Sequence, residues 1–297
     1  MTQGKTHMGK RAKSIIANTT IHTILVIMSI IWLIPFIFIV LQSFRTEMSA
    51  NDATKMVTWQ VGYVWPKKWG FDNYIYLFTK SDFPKWYLNT FIIAVVVAAL
   101  QTIIVLCMSY TLSRFRFKMR KPLMNIMLIL GMFPGMLAMI ILYRALSDIG
   151  WIGTNSVPGL ILVYVASSGM GYYVSKGFFD TVPKSLDEAA RIDGANRAQV
   201  LMKVILPLAK PIVIYTVLTA FMAPWGDFMF AKYIAASKSA GFNVAVGLWT
   251  FLDIDHIDDW YTRFCAGGVV VAIPVTLLFM FLQKYYVEGV TGGAVKG

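Results

Sequence analysis

Long runs of apolar residues constrain the fold of this chain more than any other feature of its sequence. Six such runs lie at about 21–41, 88–110, 123–142, 157–179, 212–230 and 264–286. Each is close to the roughly 20 residues with which an α-helix crosses a bilayer, and lipid offers no partner to an unpaired backbone group. With 57% hydrophobic and 14% charged residues, the chain could not cover a water-facing surface. We therefore predict an all-α integral membrane protein with six transmembrane helices.

Basic residues between these runs predict how the chain is oriented in the membrane. Residues 1–20 contain four Lys or Arg and no acid, residues 113–121 contain five and no acid, and residues 231–263 contain four Asp. We therefore predict a cytoplasmic N-terminal segment (1–20), a membrane domain (21–286) and a cytoplasmic tail (287–297), with both termini cytoplasmic. This orientation accounts for the net charge of +12, so we expect no nucleic-acid partner.

Motifs for catalysis or cofactor binding are missing from the sequence. It has no complete phosphate-binding loop, no histidines at metal-ligand spacing and no nucleophile beside a base. We therefore expect a non-catalytic chain without a cofactor of its own. Acids within the apolar runs, which ion-driven carriers use, are also scarce. Asp227 is the best candidate, either in a transport pathway or in a structural or interfacial role.

A charged stretch at 185–211 interrupts the apolar runs on the predicted cytoplasmic side. Ser185 and Glu188 have the spacing of a capping box, and Gly194 can end the helix that they begin. Asn196 then caps a second helix, with Gln199 three residues on as in a capping box, and we expect this helix to break at Pro207. The pattern predicts a stiff helix–turn–helix within 180–210, although the residues alone also fit a solvated connector.

The spacing of this stretch resembles a known motif. Glu188-Ala189-Ala190, followed by Gly194 and then by Leu206-Pro207, is similar to the EAA loop of permeases in binding-protein-dependent ABC importers. The basic turn at 113–121 resembles that of the sugar-importer branch, and the tail at 289–297 resembles the smaller maltose-type permease. The resemblance implies the type I ABC importer permease bundle.

In that family the EAA helix docks on a cytoplasmic ATPase. The resemblance assigns this docking role to seven residues, namely Glu188, Ala189, Ala190, Asp193, Gly194, Leu206 and Pro207. It implies a second ATPase contact at Thr291, Gly292 and Gly293, for which a frayed terminus is the alternative. It also implies a contact between the loop around Gly241, Phe242 and Asn243 and a solute-binding protein.

The resemblance further implies the partners of the chain. They are a second permease subunit in a heterodimer, two copies of an ATPase that binds ATP and Mg, and an extracellular solute-binding protein, in a bacterial-type cytoplasmic (inner) membrane. The expected substrate is a sugar such as maltose or maltodextrin. Aromatic rings stack on sugars, so Tyr172, Tyr173 and Trp225 join Asp227 as pathway candidates, with helix packing or interface anchoring as the alternative.

Three other functions remain open at this point. An ABC permease for a polyol or glycerol phosphate has the same motifs. The sequence does not separate these substrates from a sugar, because the partner proteins share in determining specificity. An ion-driven secondary carrier would use deep acids, which this sequence lacks. A non-transporting membrane scaffold or receptor would need no solute-binding protein.

Overall fold

The computed structural model describes residues 3–47, 64–132, 135–167, 169–253 and 257–294. In these ranges the chain is helical apart from turns, loops and one isolated β-bridge between Arg45 and Trp69. The α-helices in chain order are α1 (Gln3–Ser43), α2 (Asp72–Thr79), α3 (Phe83–Arg114), α4 (Arg120–Gly131), α5 (Gly135–Asp148), α6 (Ser156–Ala166), α7 (Gly169–Thr181), α8 (Lys184–Ile192), α9 (Arg197–Val200), α10 (Leu206–Leu208), α11 (Lys210–Gly226), α12 (Met229–Ala235), α13 (Val244–Trp249) and α14 (Ile257–Ala294). A π-helical segment, Leu201–Ile205, joins α9 to α10, and short 3₁₀ turns lie at Gly153–Asn155, Ser239–Gly241 and Thr250–Leu252.

Several of these helices are long and apolar enough to cross a membrane. Among the described residues, four stretches qualify on their own, at Ile15–Ser43, Phe83–Arg114, Gly153–Thr181 and Trp260–Lys284. A fifth qualifies if Arg197–Leu208 and Lys210–Gly226, which meet at 88°, form one bent span. The prediction of an all-helical membrane chain is confirmed for the described residues.

The third predicted span, 123–142, falls on two shorter helices, α4 and α5. These helices lie on either side of residues 133–134, which are outside the described residues and include Pro134. Neither helix reaches the length of a span alone, because α4 has 12 residues and α5 has 14. A sixth span at this position therefore stays a prediction.

Helix α3 lies at the centre of the bundle and contacts α6, α7, α11 and α13. Its buried positions include Ala94 and Ala98, whose small side chains let neighbouring helices approach closely. Helix α1, by contrast, packs mainly on α14. All its side chains from 15 to 37 are exposed, so this apolar surface is available to lipid or to another membrane protein.

Two hydrophobic clusters hold the bundle together. The larger one, the outer cluster, surrounds Trp86, Trp225 and Phe251 and includes residues of α3, α6, α11, α12 and α13. The smaller one, the inner cluster, surrounds Phe179 and Ile205, with Leu106 and Tyr110 from the end of α3. The inner cluster supports the charged stretch that the sequence singled out.

Candidate functional site

The first part of the candidate site is the short helix α8, none of whose residues is buried. It begins at Lys184, with Pro183 in the N-cap position and no side chain capping it. The predicted capping box of Ser185 and Glu188 is therefore wrong, because Ser185 already lies inside the helix. Pro183, the N-cap residue at φ −57° and ψ 130°, thus precedes a helix that starts two residues before Leu186, the first helical residue in the sequence pattern.

The end of α8 is a Schellman motif centred on Gly194. Gly194 has φ +85°, its N–H donates to Arg191 O at 3.1 Å, and the Ala195 N–H donates to Ala190 O at 2.9 Å. Ala190 and Ala195 both pack against the inner cluster. The predicted left-handed conformation of Gly194 is confirmed, and it fixes the angle at which α8 leaves the bundle.

The second helix of the stretch begins with the capping box that the sequence predicted. Gln199 N–H donates to Asn196 Oδ1 at 2.9 Å, and Asn196 N–H donates to Gln199 Oε1 at 2.8 Å. Both bonds join residues three apart, so local sequence was enough to predict them.

The predicted break at Pro207 is wrong. Pro207 lies within α10, and the 88° bend falls at Ala209, between α10 and α11. The preceding π-helical segment places the Leu206 N–H on Leu201 O, five residues back. Because Pro207 follows a widened turn and has no N–H to satisfy, the chain passes it without breaking.

Helix α8 is braced against the C-terminal end of α3. Arg114 Nε lies 2.6 Å from Asp187 Oδ2, and Arg114 Nη2 donates to Val182 O at 2.9 Å. One residue earlier, Ser113 Oγ donates to Asp180 Oδ1 at 2.6 Å. Sequence analysis missed Arg114 and Asp187, because nothing local separates Arg114 from the other cations of its basic turn.

Burial affects the charge of this brace. It raises the pKa of Asp187 above its ordinary value, and the neighbouring Glu188 adds to the rise, whereas the Arg114 guanidinium opposes it. The Asp187 carboxyl therefore takes up a proton at a higher pH than an exposed aspartate, and the ion pair weakens correspondingly early on acidification.

The exposed surface of α8 and its C-terminal turn contains most of the residues assigned to ATPase docking. Glu188, Ala189, Asp193 and Gly194 are exposed, whereas Ala190 is half-buried against the inner cluster. Further along, Leu206 packs on the inner cluster and Pro207 is exposed.

Ile192 is the residue of α8 that sequence analysis overlooked. It is 87% exposed, although a large apolar side chain on a polar helix would ordinarily turn inward. The signal in the sequence was a lone isoleucine between Arg191 and Asp193. A single exposed apolar side chain is common on a protein surface, and this one lies on the same exposed helix as Glu188 and Ala189.

The structure packs Gly241, Phe242 and Asn243 inside the chain. A Cβ on Gly241 would lie 1.9 Å from Gly153 O, and Phe242 is only 8% exposed. Asn243 Nδ2 donates to Pro224 O at 3.1 Å and to Asp227 O at 2.7 Å. Close packing and hydrogen bonds thus hold these three residues within the chain, and a contact between the loop around them and a solute-binding protein stays a prediction.

Two of the three aromatic pathway candidates are fixed by packing. Trp225 is 6% exposed in the outer cluster, and the Tyr173 hydroxyl donates to Met124 O. Tyr172 is half-buried, and its carbonyl accepts from Ser109 Oγ at 3.1 Å. A pathway role for any of them stays a prediction.

Asp227 has hydrogen-bond partners at the junction of α11 and α12. Its Oδ2 accepts from the Tyr164 hydroxyl at 2.5 Å, and its Oδ1 accepts from the Phe230 N–H at 3.2 Å. These bonds favour the structural alternative, since they tie α6 to the start of α12.

The remaining candidates lie at the end of the chain. Thr291, Gly292 and Gly293 fall in the last turns of α14, where the backbone is described and the side chains are outside the described residues. Their contact with an ATPase stays a prediction.

Comparison with known sequences bears on this arrangement. Residues 104–292, which include α8 and its brace, match the family described as binding-protein-dependent transport system inner membrane component. The chain belongs to this family. It is therefore a permease subunit, a non-catalytic membrane component, and the resemblance stated from the EAA spacing is confirmed.

Several curated proteins are similar to this permease. The maltodextrin transport system permease protein MalD of Streptococcus pneumoniae is 39% identical over 229 residues, 76% of this chain and 80% of that protein. The maltodextrin transport system permease protein MdxG of Bacillus subtilis is 35% identical over 274 residues, 92% of this chain and 94% of that protein. Among solved structures, a bacterial ABC transporter involved in the import of the acidic polysaccharide alginate has a TM-score of 0.72 at 23% identity, covering 91% of this chain and 96% of that chain. This last likeness confirms the fold of an ABC importer permease.

Proposed function

We propose that this chain is the permease subunit of an ATP-driven importer for maltodextrin or a related oligosaccharide. The two maltodextrin permeases support the substrate class. The galactooligosaccharides transport system permease protein GanQ of Bacillus subtilis, 35% identical over 236 residues, supports the wider class of oligosaccharides.

One observation carries the coupling part of the proposal. Helix α8 has no buried residue, yet it is anchored at both ends, by the Arg114–Asp187 ion pair and by the Schellman turn at Gly194. A helix that is exposed but rigidly held transmits a push to the bundle without bending. ATPase closure would thereby switch the bundle between inward- and outward-open states as rigid bodies.

The proposal places ATP and Mg on a partner ATPase and none in this chain. The complex would contain a second permease subunit as heterodimer partner, two ATPase copies and an extracellular solute-binding protein, in a bacterial cytoplasmic membrane. On the ATPase, a groove would receive Glu188, Ala189 and Ile192.

The first test is affinity purification of the tagged chain from a host that expresses its natural partners, with partners identified by mass spectrometry. Stoichiometric recovery of a permease and an ATPase is expected, and a chain that emerges alone and still transports would contradict the proposal.

The coupling role is tested by changing the charge of α8 and of the turn that follows it. In the assembled transporter, Glu188→Lys and Gly194→Asp should leave the subunit in the membrane and abolish ATP-dependent uptake of radiolabelled maltotriose. Asp148→Lys is the matched control, because Asp148 is an exposed acid at the other end of the bundle, 61% exposed in its side chain. Uptake by Glu188→Lys equal to that of Asp148→Lys would refute the docking assignment. Comparing maltotriose with a galactooligosaccharide then identifies the substrate.

A further inference from the structure

A cavity lies between the end of α3 and α8, beside the Arg114–Asp187 brace and the docking residue Glu188. Its volume is about 560 Å³. Five basic side chains line it, namely Arg114, Arg116, Lys184, Arg191 and Arg197, together with the carboxylates of Asp187 and Glu188. The lining thus has three more basic than acidic groups, which favours an anionic ligand.

Arg114 gives this cavity a buried cationic wall. Its side chain is only 4% exposed. Nη2 donates to Val182 O, and Nε lies 2.6 Å from Asp187 Oδ2 as an ion pair. Among the described residues, buried Nη1 has no hydrogen-bond partner, and neither Nε nor Asp187 Oδ1 makes a hydrogen bond. A buried guanidinium N–H without an acceptor is costly. An oxyanion in the cavity would supply the missing acceptor.

The other basic side chains can close over such an anion. Arg116 and Lys184 are exposed and line the cavity from two elements, since Arg116 follows α3 and Lys184 begins α8. Arg197 stacks on Phe115, with its guanidinium carbon 4.3 Å from the ring centroid, which holds its charge at the rim. Guanidinium groups bind phosphate oxygens in paired hydrogen bonds.

The position of the cavity matches this chemistry. It lies at the last residue of the span Phe83–Arg114, where the helix leaves the apolar layer. Basic pockets between transmembrane helices at such a boundary bind phosphate head groups. We propose that this cavity binds a phosphate group, of an anionic phospholipid or of free inorganic phosphate, between α3 and α8. The bound group would join both helices and stiffen the brace.

The test measures binding, so its outcome is separate from that of the uptake assays. The full chain, with the subunits that purify with it, is titrated with phosphatidylglycerol and phosphatidylcholine and examined by native mass spectrometry. Binding of inorganic phosphate is measured by equilibrium dialysis in phosphatidylcholine nanodiscs. The pocket variant is Arg116→Gln/Lys184→Gln, which changes only exposed side chains and leaves Arg114 in place. The matched control is Lys118→Gln/Lys121→Gln, which removes the same charge from exposed residues outside the cavity lining.

We expect the pocket variant to bind the phosphate group about tenfold more weakly than wild type and the control to bind it unchanged. Selective loss of phosphatidylglycerol would identify a lipid as the source, and selective loss of inorganic phosphate would identify the free anion. Equal weakening in both variants would overturn the proposal in favour of diffuse attraction. If wild type binds neither probe, the proposal also fails, and the cavity is left for an acidic side chain of a partner.

Discussion

Ile192 is the side chain for which exposure and chemistry conflict most strongly, at 87% exposed. Because it touches little within its own chain, Ile192→Ser should leave the thermal midpoint of the purified subunit unchanged. Burial of an isoleucine under a partner contributes about 1.5–3 kcal/mol, so the same change should weaken ATPase association by at least about tenfold. Met202→Ser is the matched control, since Met202 is also exposed, at 59%, but follows α9 rather than α8. Association is measured by the amount of ATPase recovered with each variant. Equal recovery with the two variants would exclude Ile192 from the docking surface.

Gly194 is held at φ +85° with open space around its missing side chain. Gly194→Ala therefore creates no clash, and its cost is conformational, about 1 kcal/mol. Gly194→Asn should cost less, because asparagine tolerates the left-handed region. Thermal midpoints of the two variants in the same detergent test this order. A midpoint for Gly194→Asn below that of Gly194→Ala would contradict the conformational explanation.

At the scale of elements, local signals were predictable and distant ones were not. The Asn196 capping box and the Gly194 turn follow from residues three to five positions apart. The brace between α3 and α8 joins Arg114 to Asp187, which are distant in sequence, so no spacing rule pointed to it. The errors at Ser185 and Pro207 are different, because they are misread local signals: Pro183 takes the N-cap position in place of Ser185, and a π-helical segment precedes Pro207.

The brace is tested by a double-mutant cycle. Arg114→Gln, Asp187→Asn and the combined variant should give a coupling energy of about 1–3 kcal/mol in the free energy of unfolding. Each single change leaves a poorly compensated polar group, since the side chains are 4% and 15% exposed. Denaturant midpoints measure the effect. Strictly additive changes would mean that the two side chains are close without stabilising each other.

At the scale of the whole molecule, the apolar runs predicted the helices and the all-α class. They did not predict how the helices pack, which depends on close contacts such as that of Gly241 with Gly153 O. From the sequence, we predicted that the loop around Gly241 contacts a solute-binding protein, which would place this loop on the surface. The structure instead ties the segment 239–244 to α3, where Asn89 Nδ2 donates to Phe242 O at 2.9 Å and Thr90 Oγ1 accepts from Val244 N–H at 2.7 Å.

Gly241→Ala tests this packing. An added Cβ would lie 1.9 Å from Gly153 O and 2.6 Å from Ser156 Oγ, so the change should destabilise the subunit by about 1–3 kcal/mol or more and lower its yield. Gly177→Ala is the matched control, because a Cβ there meets nothing within 4 Å. Within a helix that change should be neutral or stabilising by up to about 1 kcal/mol. Equal detergent-solubilised yields and thermal midpoints for the two variants would show that the segment 239–244 can shift to make room for the added methyl group.

Helix α3 meets the segment 239–244 near one end, through Asn89 and Thr90, and the charged stretch at 185–211 at the other, through Arg114. Its 32 residues make a rod about 48 Å long. Chimeric permeases built from relatives of this chain must keep the contacts at both ends of α3. If the charged stretch at 185–211 or the segment 239–244 were taken alone from a donor permease, it would meet an α3 helix of different sequence. We therefore expect that α3 and these two segments should be exchanged together.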